Sequence, residues 1–294
     1  MKRRALDEVD ESGALLKSAF ALARSLKIHT LLLQAYTARE RRLAMTLRER
    51  ERIIWVPRRS HARRPASRFG DVTISLPGMA LTRLSQLNLL VFLAVFERHI
   101  EPDDRLLVLS GVVGSQRLDT LVIVKPARDF PWLKRHTFKA SISRHVARTL
   151  EIALRLAREG REGTPIGTIF VLGDAASLAP HLRQLILNPV KGHRQDTRSI
   201  HHSEFLETIR ELAALDGAFI IDERGVVGSA GTYLDASLRG RRLNPGLGAR
   251  HAAALSITSV SDAIAVVVSA SSGTVTVYEG GETVLELERA QASS

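Results

Sequence analysis

The chain has 294 residues, a formal charge of +11 and no cysteine. With 45% hydrophobic and 25% charged residues it has the composition of a globular protein, long enough for two modest domains. The missing cysteines exclude disulfides, thiolate metal sites and thiol redox chemistry. The longest apolar run, LNLLVFLAVF at 87–96, falls well short of the roughly 20 residues that a membrane span needs, so no membrane partner is expected.

The opening MKRRALDEVDESG lacks the apolar core of a secretory signal, and a cytoplasmic location is expected. Charge is concentrated early, with 16 Lys/Arg against 7 Asp/Glu in residues 1–66. The runs RERER (48–52) and RRSHARR (58–64) would attract polyanions through plain electrostatics. No aromatics are interleaved there to stack bases, so these runs read as a solvated helix and linker, and nucleic acid is not expected as a partner.

In chain order, 13–26 space apolar residues at three and four and predict an amphipathic helix. KIHTLLLQAY reads as a buried strand, 38–52 as a charged helix, and IIWVP (53–57) as a short strand stopped by proline. VTISLPG is strand-like, 80–99 helical, and RLLVLSG (105–111) and TLVIVKP (120–126) have strand length. This alternation predicts an α/β layer with parallel pairing. GVVGSQ (111–116) lacks the lysine or full glycine spacing of a phosphate loop and reads as a turn. Periodicity lapses near 127–140, which divides the chain into domains at 1–130 and 141–290.

In the second domain, 143–160 predict a helix ended by Gly160, and GTIFVLGD (167–174) a strand delivering Asp174 to a loop. LAPHLRQLIL reads as a helix stopped at Asn188-Pro189, and 203–215 as an amphipathic helix capped by Ser203. A hairpin follows at 218–231, then a small-residue helix from Ala249 and three strands with short turns. A central mixed sheet with helices around it is expected.

Two clusters carry chemistry. Asp216-Gly217-Ala218 stand between an amphipathic helix and a buried strand. An acid there can hold a metal ion or a sugar hydroxyl, and a glycine beside it lets a ligand approach the backbone; Asp-Gly is also a frequent turn pair. Gly246-Leu247-Gly248-Ala249-Arg250-His251 feed a helix N-terminus, whose free N–H groups and positive dipole end suit phosphate. Arg250 and His251 would be unfavourable in that first turn without an anion to neutralise them. His201-His202, being adjacent, are not expected to share one ion.

LDGAFIID, followed by G-x-G-x-R-H and a small-residue helix, resembles the paired motifs of the diadenylate cyclase family. The likeness extends through ALRLAREGREGTPIGTIFVLGD, QLILNP and AIAVVVSASSGTVTVYEGG. Element order upstream is similar to the C-terminal domain of pyruvate kinase, a pairing found in archaeal-type cyclases. The resemblance implies that two ATP are condensed into cyclic di-AMP with release of two pyrophosphates. It further implies Mn²⁺ or Mg²⁺ and a homo-oligomer whose active unit is a face-to-face dimer.

By the same resemblance Asp216 binds the metal and engages the ribose 3′-hydroxyl, Gly217 and Ala218 line the nucleotide, and Gly248, Arg250 and His251 hold phosphates. Ser269 stands near the triphosphate. The chemistry requires such groups, because a 3′-hydroxyl is a poor nucleophile near neutral pH and the departing pyrophosphate accumulates charge. Ala252 replaces a third basic residue of the family motif, Ala249 a frequent Thr, and Ala270 a frequent metal-holding Glu, a role that could pass to Asp222. The alternative is a degenerate cyclase that senses ATP or cyclic di-AMP.

Overall fold

The computed structural model describes residues 10–57, 70–76, 81–111, 117–130, 133, 140–160, 164–236 and 248–290. The basic run 58–64, residues 112–116 of GVVGSQ, and Gly246 and Leu247 lie outside the described residues. The chain divides into two compact units, Met1–Leu133 and Lys134–Ser294.

The first unit holds α1 (Glu11–Leu26), β1 (Thr30–Leu33), α2 (Ala38–Leu47), β2 (Arg52–Trp55), β3 (Val72–Thr73), α3 (Arg83–Phe96), β4 (Leu106–Ser110), β5 (Thr120–Val124) and the single turn α4 (Pro126–Asp129). Its sheet runs β3-β2-β1-β4-β5. The first three pairings are parallel, but β4 and β5 form an antiparallel pair. Leu16, Phe20 and Ala23 of α1 pack on Leu31, Leu33, Ile53, Leu107 and Leu109. Leu32, Ile54 and Val108, of opposite parity along the strands, are buried as well, so the central strands are covered on both faces.

α2 stops at Leu47, five residues before the predicted end, and 52 joins the next strand. Arg48 leaves helical geometry and places its guanidinium 2.6 Å from the Asp71 carboxylate, the two side chains being 4% and 0% exposed. Asp71 also accepts the Ile53 N–H and the Trp55 Nε1–H. A buried charge needs this full set of partners.

The second unit holds α5 (Ala140–Glu159), β6 (Thr168–Leu172), the single turn α6 (Ala175–Leu178), β7 (Leu182–Gln184), α7 (Phe205–Leu212), β8 (Ala218–Ile221), β9 (Val227–Leu234), α8 (Ala249–Val260), β10 (Ile264–Val268), β11 (Val275–Glu279) and β12 (Glu282–Leu287). The seven-stranded sheet runs β12-β11-β10-β6-β8-β9-β7. Only β6 and β8 are parallel. Ile169, Val171, Ala218, Ile220, Ala265 and Val267 meet Ala254 and Ile257 of α8 in the core.

Two sequence expectations fail here. LAPHLRQLIL is no helix: after α6 and a one-turn 3-10 helix at Ala179–His181 the chain becomes the edge strand β7. Pairing with β9 decides this, reinforced by the Gln184 amide donating to the Ala230 carbonyl. Ser203 does not cap α7, whose N-cap is Glu204, without a side-chain hydrogen bond.

At the end of the sheet where β8 turns into β9, the buried His145 of α5 lies against Gly225, its Nδ1 2.9 Å from His201 Nε2. Burial, then the neighbouring His201 and Arg144, lowers its pKa to about 4. An unfolded chain takes up that proton near 6.5. The stability this neutral pair contributes is therefore complete above about pH 6.5 and is lost as pH falls toward 4. Urea midpoints of the full chain should fall over that window, and the fall should be shallower in His145→Gln; equal slopes would remove His145 as the cause.

Candidate functional site

α7 unwinds through Ala213, Ala214 and Leu215, whose N–H groups bond back to Ile209, Glu211 and Leu212. The chain then reverses into β8 at Gly217, where φ is +108°. A Cβ at Gly217 would stand 2.6 Å from the Gly231 carbonyl carbon and the Thr232 nitrogen. The glycine therefore serves a close approach of the β9 backbone, where the sequence suggested approach of a ligand. Reversal at this point leaves the Asp216 side chain 93% exposed.

α8 starts at Gly248, which is extended and provides no side-chain cap. The first-turn N–H groups thus face outward with the positive end of the helix dipole. Arg250 in that turn lies 3.5 Å from Asp216, Nη2 to Oδ1. The anion that a cation in this position requires is, in the protein alone, the Asp216 carboxylate. The pair is solvent-exposed and contributes little stability by itself.

Between them opens a cavity of about 470 Å³. Asp216, Gly217, Ala218 and Arg250 line it, together with Ile169 of β6, Leu185 after β7, and Thr232, Tyr233 and Leu234 of β9. Ala249, Ala252, Ala253 and Ser256 form its helical wall, at the spacing of one helix face. These small side chains leave the space beside α8 unfilled. Ala252, where the family motif carries a basic residue, is one of them.

Gly248 and His251 do not line the cavity. The His251 ring is edge-on to Tyr278 of β11, with Nδ1 2.9 Å from the phenolic oxygen. Burial holds its pKa below the ordinary value, so the ring is neutral near pH 7. Ser269 follows β10, whose last residue pairs with Thr168 at the start of β6, the neighbour of β8. It therefore lies at the same end of the sheet as Asp216, in a turn where its Oγ accepts the Ser272 N–H.

Other acids lie elsewhere. Asp222 closes the hairpin beyond β8, roughly 13 Å of strand from its start. There it is engaged by the Arg224 side chain and by the N–H groups of Arg224 and Val226. Asp174 caps α6, likewise at the opposite end of the sheet from Asp216. Among the described residues no group of three or more His, Cys, Asp or Glu side chains could hold a metal ion. The lone carboxylate fits a divalent cation shared with phosphate oxygens rather than one caged by protein ligands.

Sequence reasoning passed over Leu185, Tyr233 and Leu234. For Tyr233 and Leu234 the signal was the continuation of the hairpin past Gly231; Leu185 reaches the site only because β7 pairs with β9.

Residues 155–283 match the model of the family described as DAC, DisA bacterial checkpoint controller nucleotide-binding. The chain is 40% identical over 189 residues to a protein of Methanocaldococcus jannaschii named diadenylate cyclase, covering 61% of this chain and 60% of that one. It thus spans less than two thirds of that relative's length. Among solved structures, DacA from Staphylococcus aureus aligns over 52% of this chain and 91% of its own, at 23% identity and a TM-score of 0.35. A pyruvate kinase from Cryptosporidium parvum aligns over 41% and 24%, at 19% identity and a TM-score of 0.31. Among the described residues no helix is long and apolar enough to cross a membrane.

Gly217→Ala should lower stability by roughly 2 kcal/mol or more, because it combines a left-handed backbone with a backbone clash. Thermal melting checks this; a variant as stable as the parent would mean that β9 withdraws freely.

Proposed function

We propose that this chain, a member of the DAC family through residues 155–283, is a diadenylate cyclase that joins two ATP into cyclic di-AMP and releases two pyrophosphates. Residues 141–290 serve as the cyclase domain and 1–130 as a domain of pyruvate-kinase C-terminal type. The observation that carries the reading is the meeting of Asp216, Arg250 and the uncapped start of α8 around one cavity, inside the segment that matches the family. Its volume suits one small-molecule ligand.

In this reading the apolar wall of Ile169, Ala218, Tyr233 and Leu234 receives the adenine. The triphosphate lies toward the start of α8. Arg250 exchanges Asp216 for phosphate oxygens and meets the charge that develops on the α-phosphate. His251, its ring engaged by Tyr278, contributes its backbone N–H from the same turn, below Gly248. Ser269 approaches the triphosphate from the adjoining strand end. Asp216 orients the ribose 3′-hydroxyl and, with phosphate oxygens, would hold Mn²⁺ or Mg²⁺. When bound, that cation supplies charge neutralisation and acidifies the hydroxyl.

The 3′-oxygen forms a bond to the α-phosphorus of the facing ATP. The bond from that phosphorus to pyrophosphate breaks, and the hydroxyl proton leaves to the carboxylate or to water. Ring closure needs this twice, in opposite directions, so the active unit is a homodimer with one ATP in each domain.

The full chain incubated with ATP and Mn²⁺ or Mg²⁺ should yield cyclic di-AMP by mass spectrometry. Nucleotide binding without any product would make the chain a sensor instead. Asp216→Asn should lower turnover at least about 100-fold, and near-normal turnover would remove that residue from its role. Mixed dimers of parent and Asp216→Asn subunits should accumulate the linear dinucleotide, because only one of the two attacks proceeds.

A further inference from the structure

β7 places Arg183 directly across from Tyr233 in the antiparallel register with β9. The guanidinium carbon stands over the tyrosine ring, 5.0 Å from its centroid. Directly paired residues of neighbouring strands project from the same side of the sheet, which brings the two side chains together. Tyr233 lines the cavity and is 43% exposed, an aromatic ring left open on a site wall. The strand beneath the pair is fixed independently. Gln184 donates its amide to the Ala230 carbonyl and accepts from the Thr232 hydroxyl, and Gly231 leaves room for Ile186, which a Cβ would meet at 2.8 Å.

A tyrosine ring this exposed can rotate about χ1, and a stacking surface that rotates must be ordered whenever a ligand binds. A cation over one face removes that freedom and draws on the ring's negative face.

We infer that Arg183 is a positioning residue: it clamps the Tyr233 ring as a fixed platform for the purine base, and β7 exists at the sheet edge to carry it. The inference rests on the nucleotide-site reading of the cavity and adds to it a residue outside the cavity wall that acts only through the ring. Arg183 therefore contributes to recognition of the base and not of the phosphates, although it is a cation near a site for anions.

The test is calorimetric binding to the full chain, with two probes. One is 3′-deoxy-ATP, which has the base and triphosphate but no attacking hydroxyl; the other is inorganic triphosphate. Arg183→Ala should weaken 3′-deoxy-ATP about two- to fivefold, the range of an exposed cation–π contact, and leave inorganic triphosphate unchanged. Arg183→Lys should recover part of the loss. In a Tyr233→Leu background Arg183→Ala should have no further effect, since a residue that acts through the ring loses its means when the ring is gone.

Equal weakening of both probes would make Arg183 a phosphate ligand and overturn the inference. Unchanged affinity for 3′-deoxy-ATP, or additive losses in the double variant, would overturn it too. In these cases the parent still binds nucleotide and the cavity reading stands. A parent chain that binds no adenine nucleotide would refute the cavity reading and the inference together.

Discussion

The close approach of two backbones at Gly217 governs the geometry of the site. β9 passes the start of β8 so tightly that no side chain fits between them, and the chain enters β8 from the left-handed region. The same turn points Asp216 away from the core toward the first turn of α8. A bulkier residue would separate β8 from β9, and with them the wall that carries Thr232, Tyr233 and Leu234. Acid, helix start and apolar wall are thus held by one steric condition.

Small residues perform a second, complementary task. Along α8, Ala249, Ala252, Ala253 and Ser256 recur at the spacing that places them on one face, and that face borders the cavity. Ala254 and Ile257, a step around the helix, supply the core contact. The helix is thereby anchored on one side and leaves open volume on the other. A basic residue at position 252 would project into this space, so the departure from the family motif alters the volume of the site as well as its charge.

Much of the fold was legible because its signals are local. Apolar runs of strand length, the 3.6-residue spacing in α1 and α5, and the glycine before α8 each act within a few residues. What escaped depends on partners far along the chain. LAPHLRQLIL has leucines that suit a helix, yet β9 captures it as an edge strand. Arg48 looks like one more charge of a basic helix until Asp71 draws it inward and ends α2. At the site, the sequence placed an acid and a cationic turn 34 residues apart, but could not tell that the imidazole beside Arg250 would turn to Tyr278. Nor could it assign Tyr233 to a wall, since that follows from the order of strands in the sheet.

The contact between Asp216 and Arg250 lets each charge answer the other in the unliganded site while both stay open to water. An anion that captures Arg250 leaves the exposed carboxylate to water, at small cost. A molecule bearing an anionic group and, a few bonds away, a hydroxyl or an accompanying cation compensates both partners as it separates them. The resting pair is thus a loose latch, 3.5 Å across, that keeps Arg250 beside the cavity and gives it up readily.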